Sequence, residues 1–135
     1  MIRNLAAKAL PIVATIALLI PAGRKLLNAS WRETLGASYR FADRDVGANF
    51  FLLVGLLELA IAAAILWPRI RVAGGFVMAG FFVGALFFNL VLRLDQDQLS
   101  ADQASLSTLI PLDTSHFILG LAVALLWRDR LRLTP

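Results

Sequence analysis

Between Arg71 and Arg93 run 21 consecutive uncharged residues, VAGGFVMAGFFVGALFFNLVL. At about 1.5 Å of rise per residue, such a stretch crosses the ~30 Å hydrocarbon core of a bilayer as one helix. The run before it, from Val46 to Pro68, is as apolar but carries one acid, Glu58, near its middle. A carboxylate at that depth is costly and is normally kept for a reason. Glu58 is therefore the first candidate functional residue of an integral membrane chain.

Composition agrees. Of 135 residues, 59% are hydrophobic, and the mean hydropathy is +0.76. A soluble domain of this size cannot hide so much apolar surface, so lipid is the expected partner of most of it. The formal net charge of +4 comes from basic residues placed singly or in pairs beside apolar runs. They fit interfacial anchors, and no nucleic-acid partner is expected. The chain has no cysteine and one histidine, so disulfide, thiol and thiolate-metal chemistry are excluded, and no metal site is expected.

Four spans emerge within one integral membrane domain, at about residues 9–27, 48–67, 72–94 and 110–127. The fold expected is all-α, a transmembrane four-helix bundle. The first span has only 15 uncharged residues before Arg24, so Arg24 and Lys25 must snorkel toward the interface. Its basic start resembles a signal peptide, but no A-x-A-like site follows, and Pro11 and Pro21 frame the core; a retained span is expected. The fourth has only 14 uncharged residues between Asp113 and Arg128, so it starts near Ile110. Trp67 and Trp127 close the second and fourth spans as interfacial tryptophans do.

An even span count places both termini on one side. That side holds Arg3, Lys8, Arg69, Arg71, Arg128, Arg130 and Arg132 in short segments against a single acid, Asp129. By the positive-inside rule both termini are expected in the cytoplasm, with the protein in the cell inner membrane. Pro68-Arg69-Ile70-Arg71 joins the second and third spans as a tight hairpin. From Asn28 to Gly47, Trp31, Leu35 and Tyr39 recur every four residues and Ser30-x-x-Glu33 fits a capping box. A short amphipathic helix in the interface is expected there, ending near Gly36 or a little beyond. Asn28-Ala29-Ser30 is a glycosylation sequon, meaningful only in a eukaryotic secretory route. The link from Asp95 to Asp113 is polar and acidic, and reads as a solvated connection.

Small residues four apart let helix backbones approach in lipid. The third span carries Gly75, Gly80 and Gly84, the second Gly55, and the fourth Gly120; we expect these to pack helices within the bundle or between copies. The phenylalanines Phe76, Phe81, Phe82, Phe87 and Phe88 are expected to face lipid and core. Counting rise from the tryptophan ends puts Glu58 roughly 14 Å and His116 roughly 17 Å deep, so the two could meet near the midplane. Arg24, Lys25, Asn89 and Asp113 come out in a second layer, roughly 21 to 27 Å deep, where opposite charges would neutralise one another. Each has a plain alternative: Glu58 as a structural hydrogen-bonding acid, His116 as part of a helix cap after Thr114-Ser115, and Arg24-Lys25 as an anchor.

Taken together, Ala22-Gly23-Arg24-Lys25-Leu26, Gly55-Leu56-Leu57-Glu58, and the basic turn leading through Arg71-Val72-Ala73 to Met78-Ala79-Gly80 resemble the DoxX and DoxX-like family of small bacterial membrane proteins. The likeness covers nearly the whole chain through short motifs, and the Met78-Ala79 step departs from the family's Met-x-Ala. The resemblance implies a four-helix membrane bundle associated with redox or oxidative-stress systems, sometimes with quinone-linked oxidation, usually through other subunits.

Three functions compete at this point. One is a non-catalytic accessory protein of a membrane redox complex, holding a quinone or lipid between its helices and binding other subunits or itself. A second is a small proton-coupled transporter using Glu58. The third is an enzyme for a lipophilic substrate with Glu58 and His116 as an acid/base pair, but the chain offers no nucleophile motif and no nucleotide loop. No catalytic residue is assigned, and the chain builds no cofactor site of its own.

Overall fold

The computed structural model describes residues 2–94, 98–99 and 103–133. The link acids Asp95, Asp97 and Asp102 lie outside the described residues, as do the side chains of Arg3, Arg130 and Arg132. The chain is all-helical: α1 Ile2–Leu27, α2 Ala29–Ala37, α3 Arg44–Leu66, α4 Arg71–Leu92 and α5 Leu106–Leu133. Four of these, all but α2, are long and apolar enough to cross a membrane. They form a ring in which α1 packs on α3, α3 on α4, α4 on α5, and α5 returns to α1. One side of the bundle, the hairpin side, holds the α3–α4 turn. The opposite, loop side holds α2 and the α4–α5 link.

Helix ends follow local chemistry. α1 begins earlier than hydropathy suggests and runs through both Pro11 and Pro21; membrane helices tolerate such breaks because neighbouring groups re-satisfy the freed backbone. Thr15 Oγ1 donates to the Pro11 carbonyl at 2.8 Å. α2 ends at Ala37, as its periodicity suggests, but its N-cap is Asn28, whose Oδ1 accepts from Trp31 N at 3.0 Å. The Ser30–Glu33 capping box is thus replaced by a cap two residues earlier, because the chain turns at Asn28 directly out of α1. Asp43 caps α3 by accepting from Val46 N at 2.8 Å. Two arginines cover exposed carbonyls where helices stop. Arg32 donates to Lys25 O (2.7 Å) at the end of α1, and Arg71 to Ile65 O (2.6 Å) and Leu66 O (2.9 Å) at the end of α3. On the hairpin side, Trp127 Nε1 donates to Pro68 O at 3.2 Å and its ring lies 4.2 Å beneath the Arg71 guanidinium. Trp67 stays exposed.

The core is a seam of Ala14, Leu18, Ile61, Ala62, Ile65, Met78, Phe82 and Val123, drawn from all four long helices. α4 and α5 make the most extensive contact, and Gly75 and Gly120 explain how closely. A methyl group at 75 would sit 2.8 Å from Gly120 O and from Ala124 N. One at 120 would sit 2.8 Å from Gly75 O and Ala79 N.

Gly80 and Gly84 correct the sequence expectation of packing within the bundle. Nothing lies within 4 Å of a methyl group built on either, and both are exposed on the outer face of α4. The reason is helical register. Gly75, Met78, Ala79 and Phe82 occupy the buried face, and positions 80 and 84 fall on the opposite one. Of the phenylalanines, Phe82 is buried while Phe76 and Phe87 are exposed, which divides them between core and lipid as expected. Phe88 instead joins Phe41, Phe50, Phe51 and Tyr39 in an aromatic cluster on the loop side, where its ring stacks on Phe50 at 5.0 Å.

Candidate functional site

Lys25 lies in the last turn of α1 with its backbone near α3. Gly55 makes the approach feasible: a methyl group there would come within 2.9 Å of Lys25 Cβ. One turn further along the same face of α3, Glu58 Oε1 accepts from Lys25 Nζ at 2.6 Å. Glu58 is 3% exposed and Lys25 9%. Two opposite charges at this distance compensate much of the cost of taking each from water. Glu58 Oε2 is buried and has no hydrogen-bond partner among the described residues.

The pair does not stand alone. Electrostatic interactions reach Glu58 from Asp113 and His116, both on α5. Asp113 Oδ2 accepts from Asn89 Nδ2 at 2.7 Å, and Asn89 Oδ1 accepts from the Tyr39 hydroxyl at 2.5 Å. Each end of the Asn89 amide is thereby used, Nδ2 donating to Asp113 and Oδ1 accepting from Tyr39. Tyr39 is held on the other side by Arg93, whose guanidinium carbon lies 5.0 Å from its ring centroid. Burial pushes the Tyr39 hydroxyl above its ordinary pKa of 10.0, with Arg93 pulling the other way. Tyr39 therefore stays a neutral donor.

The backbone explains why Tyr39 points inward. Arg40 N donates to Leu92 O at 2.8 Å and Leu94 N to Ser38 O at 3.1 Å. These two bonds form an isolated antiparallel bridge, Tyr39 to Arg93, that ties the α2–α3 link to the end of α4. The result is a buried polar chain, Lys25–Glu58 and Asp113–Asn89–Tyr39–Arg93, that draws on all four long helices and runs from the bundle interior to its loop side.

His116 sits at the edge of this chain. It does not bond Glu58 directly. Its Nδ1 lies 2.7 Å from Leu112 O, and its ring stacks on Phe82 at 4.6 Å. A carbonyl only accepts, so Nδ1 carries the proton and Nε2 is left as an acceptor in the neutral ring. The helix-cap reading of His116 is corrected too: α5 starts at Leu106, so His116 lies in a helix interior. A groove of about 450 Å³ opens beside it between α1 and α5, lined by Leu10, Ala17, Ser115, Ile118 and Ala122 among others.

Five of the six candidate polar residues, Lys25, Glu58, Asn89, Asp113 and His116, thus converge. Arg24 does not: it is exposed and lies 5.6 Å over the Trp31 ring. Sequence reasoning missed Tyr39 and Arg93 as members. Tyr39 reads as one position of an amphipathic stripe, and Arg93 as a span end. The signal available was that the chain's only tyrosine and an arginine ending its longest apolar run both fall at one interface.

Chemically, the arrangement can hold charge and pass or retain protons inside apolar surroundings. Among the described residues, no group of three or more His, Cys, Asp or Glu side chains could hold a metal ion. Compared with known protein families, curated proteins and solved structures, the chain matches none.

Proposed function

We propose that this chain is a DoxX-like accessory protein of the cell inner membrane, with both termini in the cytoplasm. It serves as a non-catalytic subunit or partner of a quinone-linked redox complex and holds a quinone or lipid against the bundle. The observation that carries this reading is the groove between α1 and α5, mostly apolar, with Ser115 and His116 as its polar members. A lipophilic ring with a hydroxyl or carbonyl fits such a site, because the tail needs only apolar walls and the head needs one partner. Lys25 bonds Glu58, and Asn89 bonds both Asp113 and Tyr39, which suits a scaffold more than a reaction centre.

Extraction into native nanodiscs followed by mass spectrometry of co-purifying proteins and lipids tests the proposal. A stable protein partner together with a bound quinone or lipid supports it. A chain that purifies alone and empty overturns it.

A second reading, proton-coupled transport, is favoured by one feature: Glu58 Oε2 is buried without a hydrogen-bond partner among the described residues. Reconstituted vesicles distinguish the two. Proton flux that Glu58→Gln abolishes supports transport, and absence of flux in the wild type removes it.

A further inference from the structure

A second cavity, of about 310 Å³, lies on the loop side where α4 ends and α5 begins. Its polar lining comes from Arg40, Arg93, Ser105 and Ser107, and its apolar lining includes Leu90 and Val91. Arg93 is the unusual member. It is 6% exposed, its backbone is locked by the bridge to Tyr39, and one terminal nitrogen donates to Ala104 O. Its Nε is buried with no hydrogen-bond partner among the described residues. Among the described residues, no carboxylate forms an ion pair with it. A guanidinium withdrawn from water without an anion is costly, and a partner supplied from outside the chain would relieve that cost.

The surroundings specify the partner's chemistry. α5 opens beside Arg93, and the first N–H groups of a helix have no carbonyl one turn earlier to accept them, which leaves a positive terminus. The Ser105 and Ser107 hydroxyls, hydrogen-bonded to each other at 2.7 Å, add polar groups at that same end. Guanidinium, hydroxyls and helix terminus together fit a phosphate oxygen set. Leu90 and Val91, 62% and 51% exposed, extend the cavity wall onto the lipid-facing side of α4, where a free phosphate would gain nothing and acyl chains would.

We propose that this cavity binds the phosphodiester of an anionic phospholipid, with its charge between Arg93 and the first turn of α5 and its chains along Leu90 and Val91. The site is separate from the α1–α5 groove and does not depend on what that groove holds.

The test uses the purified full-length chain in native mass spectrometry, titrated with phosphatidylglycerol, phosphatidylcholine or glycerol phosphate. Phosphatidylglycerol should bind about tenfold more tightly than phosphatidylcholine, and glycerol phosphate should not displace it. Arg93→Gln should remove the preference and Arg93→Lys should retain part of it. Because Arg93 also braces Tyr39, Ser107→Ala provides a variant at an exposed position; it should weaken phosphatidylglycerol binding severalfold with the melting temperature unchanged. Arg69→Gln, on the hairpin side, should leave binding as in the wild type. Equal affinity for the two phospholipids overturns the proposal, as an acid of the neighbouring link already satisfying Arg93 would produce. Displacement by glycerol phosphate overturns the lipid assignment in favour of a simple anion site, and unchanged binding in both Arg93→Gln and Ser107→Ala overturns the location.

Discussion

Lys25 and Glu58, 33 residues apart in the chain, meet at 2.6 Å across the seam between α1 and α3, both almost fully buried. The contact ties the last turn of α1 to the middle of α3, one helical turn from the close approach at Gly55. It also joins what depth counting separates into two layers, since the long lysine stem carries its charge away from the depth of its own backbone.

Removing one partner should therefore be worse than removing both. Lys25→Met leaves the Glu58 carboxyl buried without its cation and should destabilise by about 3–5 kcal/mol. The double variant Lys25→Met/Glu58→Leu should recover much of that loss. Thermal unfolding in detergent micelles measures it; a double variant as unstable as the sum of the singles would show that the two residues act independently.

Gly75 and Gly80 separate by face. Gly75→Leu forces a side chain into Gly120 O and Ala124 N, atoms already 2.8 Å from the first added carbon, and should prevent folding or cost several kcal/mol, on the order of 3 or more. Gly80→Leu has open space and should leave monomer stability within about 0.5 kcal/mol. If Gly80→Leu lowers the melting temperature as much as Gly75→Leu does, the assigned register of α4 is wrong.

Tyr39 is the only tyrosine, so near-ultraviolet absorbance of its phenolate reports one group. Burial raises its pKa above 10.0. In the folded protein the phenolate signal should appear at higher pH than in the denatured chain. The sign for stability follows: the Tyr39–Asn89 contribution is fully present below pH 10.0 and is lost as pH rises through the folded-state value. Tyr39→Phe should remove that alkaline component of the stability profile. Ionisation at or below the denatured value contradicts the buried hydrogen bond.

Because the chain lacks cysteine, single cysteines report topology without background. Ser30→Cys on α2 and Arg69→Cys in the α3–α4 turn lie at exposed positions on opposite sides of the bundle. With both termini cytoplasmic, an impermeant thiol reagent should label Ser30→Cys in intact cells and reach Arg69→Cys only after lysis. The reverse pattern would invert the orientation, and labelling of both would remove the four-span topology.

The four spans were legible because hydropathy is a local property. An uncharged run such as Val72 to Leu92 needs no knowledge of its neighbours to be read as a helix, and α4 follows it from Arg71 to Leu92. Helix ends were less legible. α1 starts at Ile2 and α5 at Leu106, each before its apolar window begins. Among polar residues, Glu58, Asn89 and Asp113 were visible as costs: each sits where a bilayer would penalise it, so each had to find a partner. The chain by itself determined that partners must exist.

Only the tertiary structure decided who they are. Lys25 rather than His116 reaches Glu58, Tyr39 comes inward through two backbone bonds to the end of α4, and Gly75 rather than Gly80 meets Gly120. Those choices depend on the rotation and axial offset of one helix against another. A shift of one residue turns a side chain by about 100° around the helix axis, and nothing in the hydropathy of either helix records it.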